Sequence, residues 1–383
     1  MFDSFTLSQL QELWWLIVSL IGSLFIFMTF VQGGQSLLSY VARNELEKSL
    51  VINSLGRKWV LTFSAFVLFG SSLFAVFPLF YATSFGGAYW IWISILITFV
   101  LQAVSFEFRK KPGNLLGART YELFLFINGI FSVFLFGIAV ATFFSGSSFQ
   151  LDDYGQVLWQ HPMQGLEAIL SFFNVALALF LVFLSRTLGA LYLLSNIDFR
   201  LDLVKDMEKR LRRAVTTNLT ASIPFLLYFM LTLATGEGFA ISSDTGEVFM
   251  EKGKYLHNIL AMPGILAMLG AGLLLVFWGA AKVRQPAATS GIWFSGLGSI
   301  LVLLGLFLTA GLNNTAFYPS SFDLNSSLTI YNASSSRYTL TTMGYIALGM
   351  PFVLACVALF WRKMDREKIS TGEVSDFTAK EIY

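Results

Sequence analysis

The sequence predicts an all-α polytopic membrane protein, and composition, apolar segments and charge distribution each support that prediction. Of the 383 residues, 56% are hydrophobic and 13% are charged, whereas about 25% of the residues in a soluble domain are charged. A chain this poor in charge needs lipid around most of its surface. We expect no cleavable signal peptide, because Asp3 and Glu12 stand where a leader would be basic.

Nine apolar segments are each about 20 residues long or longer, enough to cross about 30 Å of hydrocarbon at about 1.5 Å per residue. They cover residues 10–33, 59–83, 88–106, 120–145, 165–195, 216–236, 258–281, 291–312 and 341–361. We therefore expect nine transmembrane helices in a single membrane domain spanning residues 1–383. Four helices before residue 150 and four after it share an orientation, which permits two four-helix bundles plus one extra helix.

The lysines and arginines predict the orientation. With the N-terminus outside, 21 of the 25 basic residues fall in cytoplasmic segments, Lys380 of the C-terminal segment among them, and three fall in external segments. The remaining one, Arg186, lies inside a span. Because basic residues accumulate on the cytoplasmic side, the N-terminus is expected outside and the C-terminus inside.

Two charged connections have helical spacing. Residues 34–58 alternate apolar and charged side chains, which predicts an amphipathic helix lying on the inner membrane surface. Residues 197–214 are similarly charged and are expected to extend both adjoining helices into the cytoplasm. We interpret both as solvated faces rather than sites.

Tryptophan pairs lie near the outer ends of two spans. Trp14 and Trp15 are in the first span, and Trp90 and Trp92 are in the third. Tryptophan is enriched at membrane–water interfaces, so these pairs predict an aromatic belt.

One span ends in an acid followed by a basic cluster. Residues 89–111, YWIWISILITFVLQAVSFEFRKK, place Glu107 one helical turn or less inside Arg109, Lys110 and Lys111. An acid at that depth is costly unless it is paired or hydrated, so Glu107 is a functional candidate. The alternative is that Glu107 only forms ion pairs with the three cations at the lipid headgroups.

Further polar residues interrupt the apolar spans. Glu122 begins the fourth span at the same end as Glu107. Arg186 lies within the fifth span, where an arginine costs about 2.5–3.5 kcal/mol, so it either snorkels inward or pairs with Glu107 or Glu122. Gln32 and Gln35 close the first span in the sequence QGGQ, which either binds a polar group or forms a helix-breaking turn.

The inventory of ligating side chains argues against a cofactor or metal held by this chain alone. The whole chain contains two histidines, His161 and His257, both at external helix edges, and one cysteine, Cys356, inside the last span. Haem in a helix bundle needs axial histidine or methionine ligands facing inward from the spans. No nucleotide-binding loop, nucleophile elbow or metalloprotease motif occurs.

The chain resembles subunit II of cytochrome bd-type quinol oxidases over essentially its full length. The matching segments are WW (14–15), INSLGRKW (52–59), LFAVFPLFYATSFGG (73–87), SFEFRKK (105–111) and YPSSFDLNSSLTIYNASSSRYTL (318–340). The last is the most specific, because a long polar loop with this pattern has no generic reason to exist. Nine helices with an external N-terminus also agree with the family.

The resemblance implies a subunit of a terminal oxidase in a bacterial or archaeal cytoplasmic membrane. Such an oxidase oxidises quinol on the outer side, reduces oxygen to water and takes protons from the cytoplasm. It implies that haem b and haem d-type groups belong to a partner, subunit I, and that this chain is a haem-free scaffold, not catalytic alone. A small single-helix accessory subunit and quinone or lipid are further implied partners; nucleic acid is not.

Departures from the family bear on proton uptake. Relatives often carry an acidic DGFD-like motif where this chain has QGGQ, and an aspartate where it has Val60. Valine cannot carry a proton, so this subunit has either lost that path or replaced it. Glu107 and Glu122 are the replacement candidates, with Arg186 or Arg109 as charge partners; the alternative is that subunit I supplies the whole path.

Two other classes of function remain open at this point. Nine helices and Gly-interrupted segments at 33–34 and 311–312 would also suit a secondary transporter, although transporters need ligands near the midplane and these spans are nearly all apolar there. A pure assembly scaffold, with no part in proton transfer, is the third class.

Overall fold

The computed structural model describes residues 2–285 and 290–370, and most of these are helical. Within those ranges nine helical segments are long and apolar enough to cross a membrane, which confirms the predicted number. They are Leu7–Ser36, Glu45–Val76, Tyr89–Phe108, Ala118–Ser145, Phe172–Asn196, Asp202–Thr235, Pro263–Arg284, Gly291–Gly311 and Arg337–Met364. Lys380 lies outside the described residues.

Local breaks divide several of these segments into shorter α-helices. The helices are α1 Leu7–Met28, α2 Phe30–Ser36, α3 Leu38–Val41, α4 Glu45–Gly56, α5 Trp59–Val76, α6 Pro78–Tyr81, α7 Tyr89–Phe108, α8 Ala118–Ile127, α9 Val133–Ser145, α10 Phe172–Asn196, α11 Lys205–Thr235, α12 Lys254–Ala261, α13 Pro263–Ala281, α14 Gly291–Gly311, α15 Arg337–Ala347 and α16 Met350–Met364. Two π-helical segments, Ala82–Gly87 and Asn128–Ser132, follow α6 and α8.

The two ends of the helical bundle differ in character. The hairpin end carries two antiparallel β-hairpins, β1 Phe149–Leu151 with β2 Val157–Trp159, and β3 Glu237–Ile241 with β4 Val248–Lys252. The basic end carries the segments rich in lysine and arginine, which are residues 42–58, 109–119, 197–213, 282–285 and 362–368. These two names are used below.

Three spans form the interior of the bundle. Of the 18 residues that form the apolar stretch of α10, 83% are buried, whereas only 6% are buried in the corresponding stretch of the last span. Helix α10 packs against α2, α9 and α11, and α1 packs against α5 and α14. The core is therefore built around α1–α2, α10 and α14, and the last span lies at the periphery of this chain.

The QGGQ sequence is helical, so the predicted helix-breaking turn is wrong. It lies within α2, and all of its residues are buried. A Cβ atom on Gly33 would lie 1.9 Å from the carbonyl oxygen of Ser185, and one on Gly189 would lie 2.3 Å from the amide nitrogen of Gly34. The glycines therefore let α2 and α10 touch backbone to backbone, a common use of small residues between membrane helices.

Residues 34–58 do not form a helix on the membrane surface. Helix α4 is mostly buried, including the polar residues Ser49 and Ser54, and it packs against α2 and α10. The apolar positions that suggested a lipid-facing stripe contact protein instead.

Two more sequence-based expectations need correction. Residues 197–214 extend only the helix that follows them, because α10 ends at Asn196 and α11 begins at Lys205. Trp14 and Trp15 are buried, and their indole N–H groups donate to the carbonyl oxygens of Leu340 (2.9 Å) and Phe307 (3.1 Å). These two tryptophans join spans inside the protein rather than forming part of a belt.

The last span is held at the basic end by a buried lysine. The side chain of Lys58 is fully buried, and its Nζ lies 2.8 Å from Oδ1 of Asp365, just beyond α16. Asn196 Nδ2 donates to the same oxygen at 3.0 Å, and the backbone of Ile369 donates to the Asn196 carbonyl at 2.9 Å. This cluster ties the ends of α10 and α16 to the start of α5.

Candidate functional site

The sequence-predicted acid Glu107 lies on the surface. It occupies the last turn of α7, its side chain is 51% exposed, and it forms an ion pair with Lys111, four residues along the chain. Exposed pairs of this kind contribute about 0–1 kcal/mol. Glu107 thus lies beside Lys111, one of the three cations that follow it in the sequence, and at the edge of a more enclosed polar region.

Glu122 is far more enclosed, with a side chain that is 11% exposed. Its Oε1 accepts hydrogen bonds from Arg109 Nη2 at 2.6 Å and Nε at 3.1 Å. Its Oε2 accepts one from Lys48 Nζ at 3.0 Å. Both carboxylate oxygens are therefore fixed by cations from other elements.

Glu45 completes a ring of charges with Glu122, Arg109 and Lys48. Its Oε2 lies 2.8 Å from Arg109 Nη2, and its Oε1 lies 3.0 Å from Lys48 Nζ. The ring contains two carboxylates and two cations, so it is neutral overall, and it joins α4, the end of α7 and the start of α8. We call these four residues the charge ring.

Lys110 extends the polar contacts of the charge ring along α4. Its Nζ donates to Ser49 Oγ at 2.6 Å. Burial, and next the nearby charge of Arg109, lower the pKa of Lys110 below its usual value. Arg57 and Lys58 are at the opposite end of α4, where Arg57 donates to the Met364 carbonyl. The basic residues at the two ends of α4 therefore form two separate clusters.

A row of polar side chains leads from the charge ring into the membrane. Thr98, Gln102 and Ser105 are buried on α7, and their spacing of four and three residues puts them on the same helix face as Arg109. Gln32 Nε2 contacts Gln102 Oε1 at 3.5 Å. The polar face of α7 therefore meets the QGGQ sequence of α2.

Asn128 brings a third element to this row. It begins the π-helical segment that follows α8, is fully buried, and donates from Nδ2 to Thr98 Oγ1 at 3.4 Å. Gly129 allows the close approach, since a Cβ atom there would lie 2.6 Å from the Gln32 carbonyl oxygen. Single π-helical turns inside α-helices are frequent at functional sites.

Several amide atoms in this row have no protein partner within the described residues. They are Gln32 Oε1, Gln35 Oε1 and Nε2, Gln102 Nε2 and Asn128 Oδ1. A buried polar group left without a hydrogen bond costs about 1–3 kcal/mol. Five such atoms in one place mark a region where water or another polar ligand is strongly favoured. We call Gln32, Gln35, Gln102 and Asn128 the amide cluster.

Two comparisons with known proteins agree on the family. The family model described as cytochrome bd terminal oxidase subunit II matches residues 10–364. The chain belongs to this family. The Escherichia coli (strain K12) protein named cytochrome bd-I ubiquinol oxidase subunit 2 is 26% identical over 372 residues, covering 93% of this chain and 95% of the relative.

Other members of the family extend this agreement. The Bacillus subtilis (strain 168) protein named cytochrome bd ubiquinol oxidase subunit 2 is 25% identical over 360 residues, covering 91% of this chain and 94% of the relative. A chain of the solved bd oxidase from Geobacillus thermodenitrificans has the same fold, with a TM-score of 0.61 over 93% of this chain and 98% of that one at 12% identity.

Within this family member, Arg186 takes no part in the charge ring. No ion pair joins it to Glu107 or Glu122 in the described part of the chain, and its Nε is buried without a hydrogen-bond partner. Tyr40, 44% exposed near the basic end, is its electrostatic neighbour. Of the two sequence-based alternatives for Arg186, the pairing with Glu107 or Glu122 is not formed.

Sequence reasoning missed Glu45, Lys48, Gln102 and Asn128. A signal for Gln102 was present, because Thr98, Gln102, Ser105 and Arg109 repeat at helical spacing within an otherwise apolar span. That repeat makes the interior less apolar than expected. Glu45 and Lys48 had no comparable signal, since they belong to a segment interpreted as a surface helix.

Proposed function

We propose that the chain is subunit II of a quinol:oxygen oxidoreductase complex in the cytoplasmic membrane of a bacterium or archaeon. The family match over residues 10–364 carries this proposal. The complex oxidises quinol, in keeping with the names of the relatives, which are ubiquinol oxidase subunits. It reduces oxygen to water. The basic end faces the cytoplasm and the N-terminus lies outside, in keeping with the positive-inside rule.

In this proposal the haem b and haem d-type groups are held by a partner, subunit I. The two histidines of this chain do not fit axial ligation in a membrane bundle. His161 follows β2 and His257 lies on α12, both at the hairpin end and outside the nine spans. This chain then serves as a scaffold beside the haem-bearing subunit, with a small single-helix subunit and quinone or lipid as further partners.

The test of this assignment is purification through a tag on this chain. We expect visible haem bands and a second, larger helical chain in the purified assembly. A colourless preparation containing this chain alone would contradict the assignment.

We further propose that this subunit conducts protons inward from the basic end. Oxygen reduction consumes protons, and a path needs polar groups that hold water between the surface and the interior. The charge ring supplies ordered polar groups at the surface. The amide cluster, which includes Gln102 on α7, supplies polar groups further inward. Val60, at the position of the acid in relatives, is 48% exposed and offers no polar group.

Glu122 is better placed than Glu107 for uptake. Glu122 shares the charge ring with Arg109, whose helix face leads directly to Gln102, whereas Glu107 points toward Lys111 on the surface. The side-chain amides of Gln102 and Gln32 each have an oxygen that accepts and a nitrogen that donates hydrogen bonds, so each can bind water both as donor and as acceptor. The path proposed here therefore runs from Glu122 to the amide cluster.

The first prediction tests this path with matched variants. Glu122→Gln removes a titratable group. Gln102→Leu removes a buried amide and keeps a side chain of similar volume. Glu107→Gln removes the exposed acid and is the control. We expect a loss of quinol-driven oxygen consumption in the first two variants with haem content retained, approaching the factor of about 10²–10⁴ that a positioned proton-transfer group contributes. We expect wild-type turnover in Glu107→Gln.

Other outcomes separate the remaining roles. Loss of haem together with turnover would assign Glu122 to assembly. Unchanged turnover in Glu122→Gln and Gln102→Leu would mean that the partner supplies the whole path, and a loss confined to Glu107→Gln would make Glu107 the uptake group.

A further inference from the structure

A cavity of about 210 Å³ lies at the hairpin end, away from the charge ring and the amide cluster. It is bounded by the start of α7, the end of α9, the start of α10 and the loop segments between them. Its lining has a polar part, called the polar wall here, which includes Glu167, Asn174 and the hydroxyl-bearing residues Thr142 and Tyr318. The cavity is far larger than the space that one water molecule needs, which is roughly 10–15 Å³ on the same measure.

The polar wall has a carboxylate without a cation. Glu167 accepts hydrogen bonds from Trp159 Nε1 and from the Gly165 amide, both at 2.7 Å. His161 Nδ1 lies 3.7 Å away, but that nitrogen accepts a hydrogen bond from the Met163 amide at 3.2 Å, so it has no proton to donate to Glu167. Among the described residues no lysine or arginine lines the cavity or pairs with Glu167.

Asn174 adds an unused acceptor to the same wall. It is 2% exposed, and its Nδ2 donates to the Ala168 carbonyl at 2.9 Å. Its Oδ1 is buried and has no hydrogen-bond partner within the described residues. Because buried acceptors are normally satisfied, a carboxylate and an amide oxygen facing one cavity favour a ligand that donates hydrogen bonds and carries positive charge.

The lining also has an apolar part, called the apolar wall here, which includes Ala88, Ile91, Trp92 and Ala139. A single carboxylate makes a poor divalent-cation site, since calcium takes six to eight oxygen ligands, several of them usually carboxylates. A hydrated inorganic ion would also leave the apolar wall in contact with water. We propose that this cavity binds a primary ammonium group on a short aliphatic stem, with the ammonium at Glu167 and Asn174 and the stem against the apolar wall.

Two sources supply this chemistry: the ethanolamine headgroup of a membrane lipid, and a free small amine. The proposal does not depend on the oxidase assignment. The test uses the assembly purified through a tag on this chain and reconstituted in nanodiscs. Native mass spectrometry measures retained phosphatidylethanolamine in discs that mix it with phosphatidylcholine, and titration calorimetry measures ethylammonium chloride binding in discs of phosphatidylcholine alone.

Three variants make the test specific to the cavity. Glu167→Gln removes the charge but keeps an acceptor for the loop, and Asn174→Leu removes the unused acceptor at similar volume. Glu247→Gln removes an exposed acid from the β3–β4 hairpin and is the control. We expect binding to weaken at least about tenfold in Glu167→Gln, as for a lost charge-assisted hydrogen bond, to weaken in Asn174→Leu, and to be unchanged in Glu247→Gln.

The outcomes decide both the proposal and the source. Lipid retained by the parent and lost in the cavity variants supports the proposal with a lipid ligand, and ethylammonium binding with the same variant pattern supports it with a free amine. Absence of both in the parent, or equal binding in Glu167→Gln and the parent, overturns it. A single symmetric peak on size-exclusion chromatography verifies that each variant is folded.

Discussion

Two nearly fully buried cations, Lys58 and Arg109, each connect parts of the chain that are distant in sequence. Lys58 pairs with Asp365, and Arg109 pairs with Glu45 and Glu122. Taking a charge out of water costs several kcal/mol, and only close partners with good geometry offset that cost. These residues therefore specify which helix ends meet at the basic end, more than they add net stability.

Replacing Lys58 by methionine is expected to destabilise the protein strongly. The change leaves Asp365 without its cation, and removing one partner of a buried pair costs about 3–5 kcal/mol. The Asp365 side chain is 19% exposed, so we expect a value near the lower limit. The measurement is the midpoint of thermal unfolding of the purified assembly.

The double variant Lys58→Met/Asp365→Leu provides the control. Replacing both members of a buried pair by apolar residues is often nearly neutral, so it should recover most of the loss. A double variant as unstable as Lys58→Met would show that Lys58 acts through its cation–π contact with Trp361, whose ring centroid lies 4.8 Å from Nζ, rather than through the ion pair.

Tyr318 is expected to keep its proton in alkaline solution. It is fully enclosed, Ser147 Oγ lies 3.2 Å from its hydroxyl oxygen, and burial raises its pKa to about 12. Because the folded pKa exceeds the ordinary tyrosine value of 10.0, Tyr318 favours the folded state fully below about pH 10. This contribution is lost as the pH rises through about 12.

Tyrosinate absorbance after a rapid jump to about pH 11 tests this, because exposed tyrosines with a pKa near 10 are mostly ionised there. Tyr318→Phe should leave the absorbance nearly unchanged, because burial keeps Tyr318 protonated at this pH. Loss of about one tyrosinate in Tyr318→Phe, the amount expected for an exposed tyrosine, would contradict its burial.

At the scale of elements, glycine contacts decide how closely the spans pack. Gly33 and Gly189 bring α2 against α10, and Gly272 and Gly298 bring α13 against α14, where a Cβ atom on Gly298 would lie 2.5 Å from the Gly272 carbonyl oxygen. Lipid supplies little hydrophobic drive for association between membrane helices, so close van der Waals contact matters more than in water. The contact of α2 with α10 also positions Gln32 and Gln35, the two members of the amide cluster that lie on α2.

Gly33→Ala should therefore disrupt folding, whereas Gly270→Ala should not. A Cβ atom on Gly33 meets backbone atoms of Ser185, which cannot rotate away, so we expect the upper end of the range of about 1–3 kcal/mol seen for overpacking, or more. Gly270 lies within α13 with no atom inside 4 Å of a Cβ atom, so alanine should be neutral or slightly stabilising.

Yield and unfolding midpoint in detergent provide the comparison of the two alanine variants. Equal behaviour of Gly33→Ala and Gly270→Ala would show that α2 and α10 can separate without loss of the fold.

The sequence was sufficient to predict the nine spans, because a membrane-spanning helix is recognised from the length of a run of apolar residues. It was insufficient for QGGQ, since the same residues suit a turn in isolation and a close helix contact when α10 supplies Ser185 and Gly189. Trp14 and Trp15 show the same limit, because interfacial and buried tryptophans have the same sequence context. Each of these errors concerns a partner distant in sequence.

The candidate site was predictable only in part. Glu122 was identified by its position at the start of a span, but the sequence did not reveal that it is more enclosed than Glu107. The amide cluster requires three helices to meet, and its members are ordinary glutamine and asparagine residues when considered singly. The repeat Thr98, Gln102, Ser105 and Arg109 was the one local signal of a buried polar face.

At the scale of the whole molecule, the two ends carry different chemistry. The basic end contains the charge ring, and the hairpin end contains a cavity with an uncompensated carboxylate. In the proposed orientation the basic end faces the cytoplasm, which is the source of protons, and the hairpin end faces outward. The proton-uptake proposal depends on this orientation, whereas the amine-binding proposal does not.

Cysteine labelling in intact cells tests that orientation. The chain has one cysteine, Cys356, so Cys356→Ala provides a background for Tyr154→Cys at the hairpin end and Lys111→Cys at the basic end. Both positions are exposed, at 89% for Tyr154 and 48% for the Lys111 side chain. A membrane-impermeant maleimide should label position 154 in intact cells and position 111 only after permeabilisation, because a position is reached only from the side it faces. The reverse pattern would place the charge ring outside, and proton uptake through Glu122 from the cytoplasm would then be ruled out.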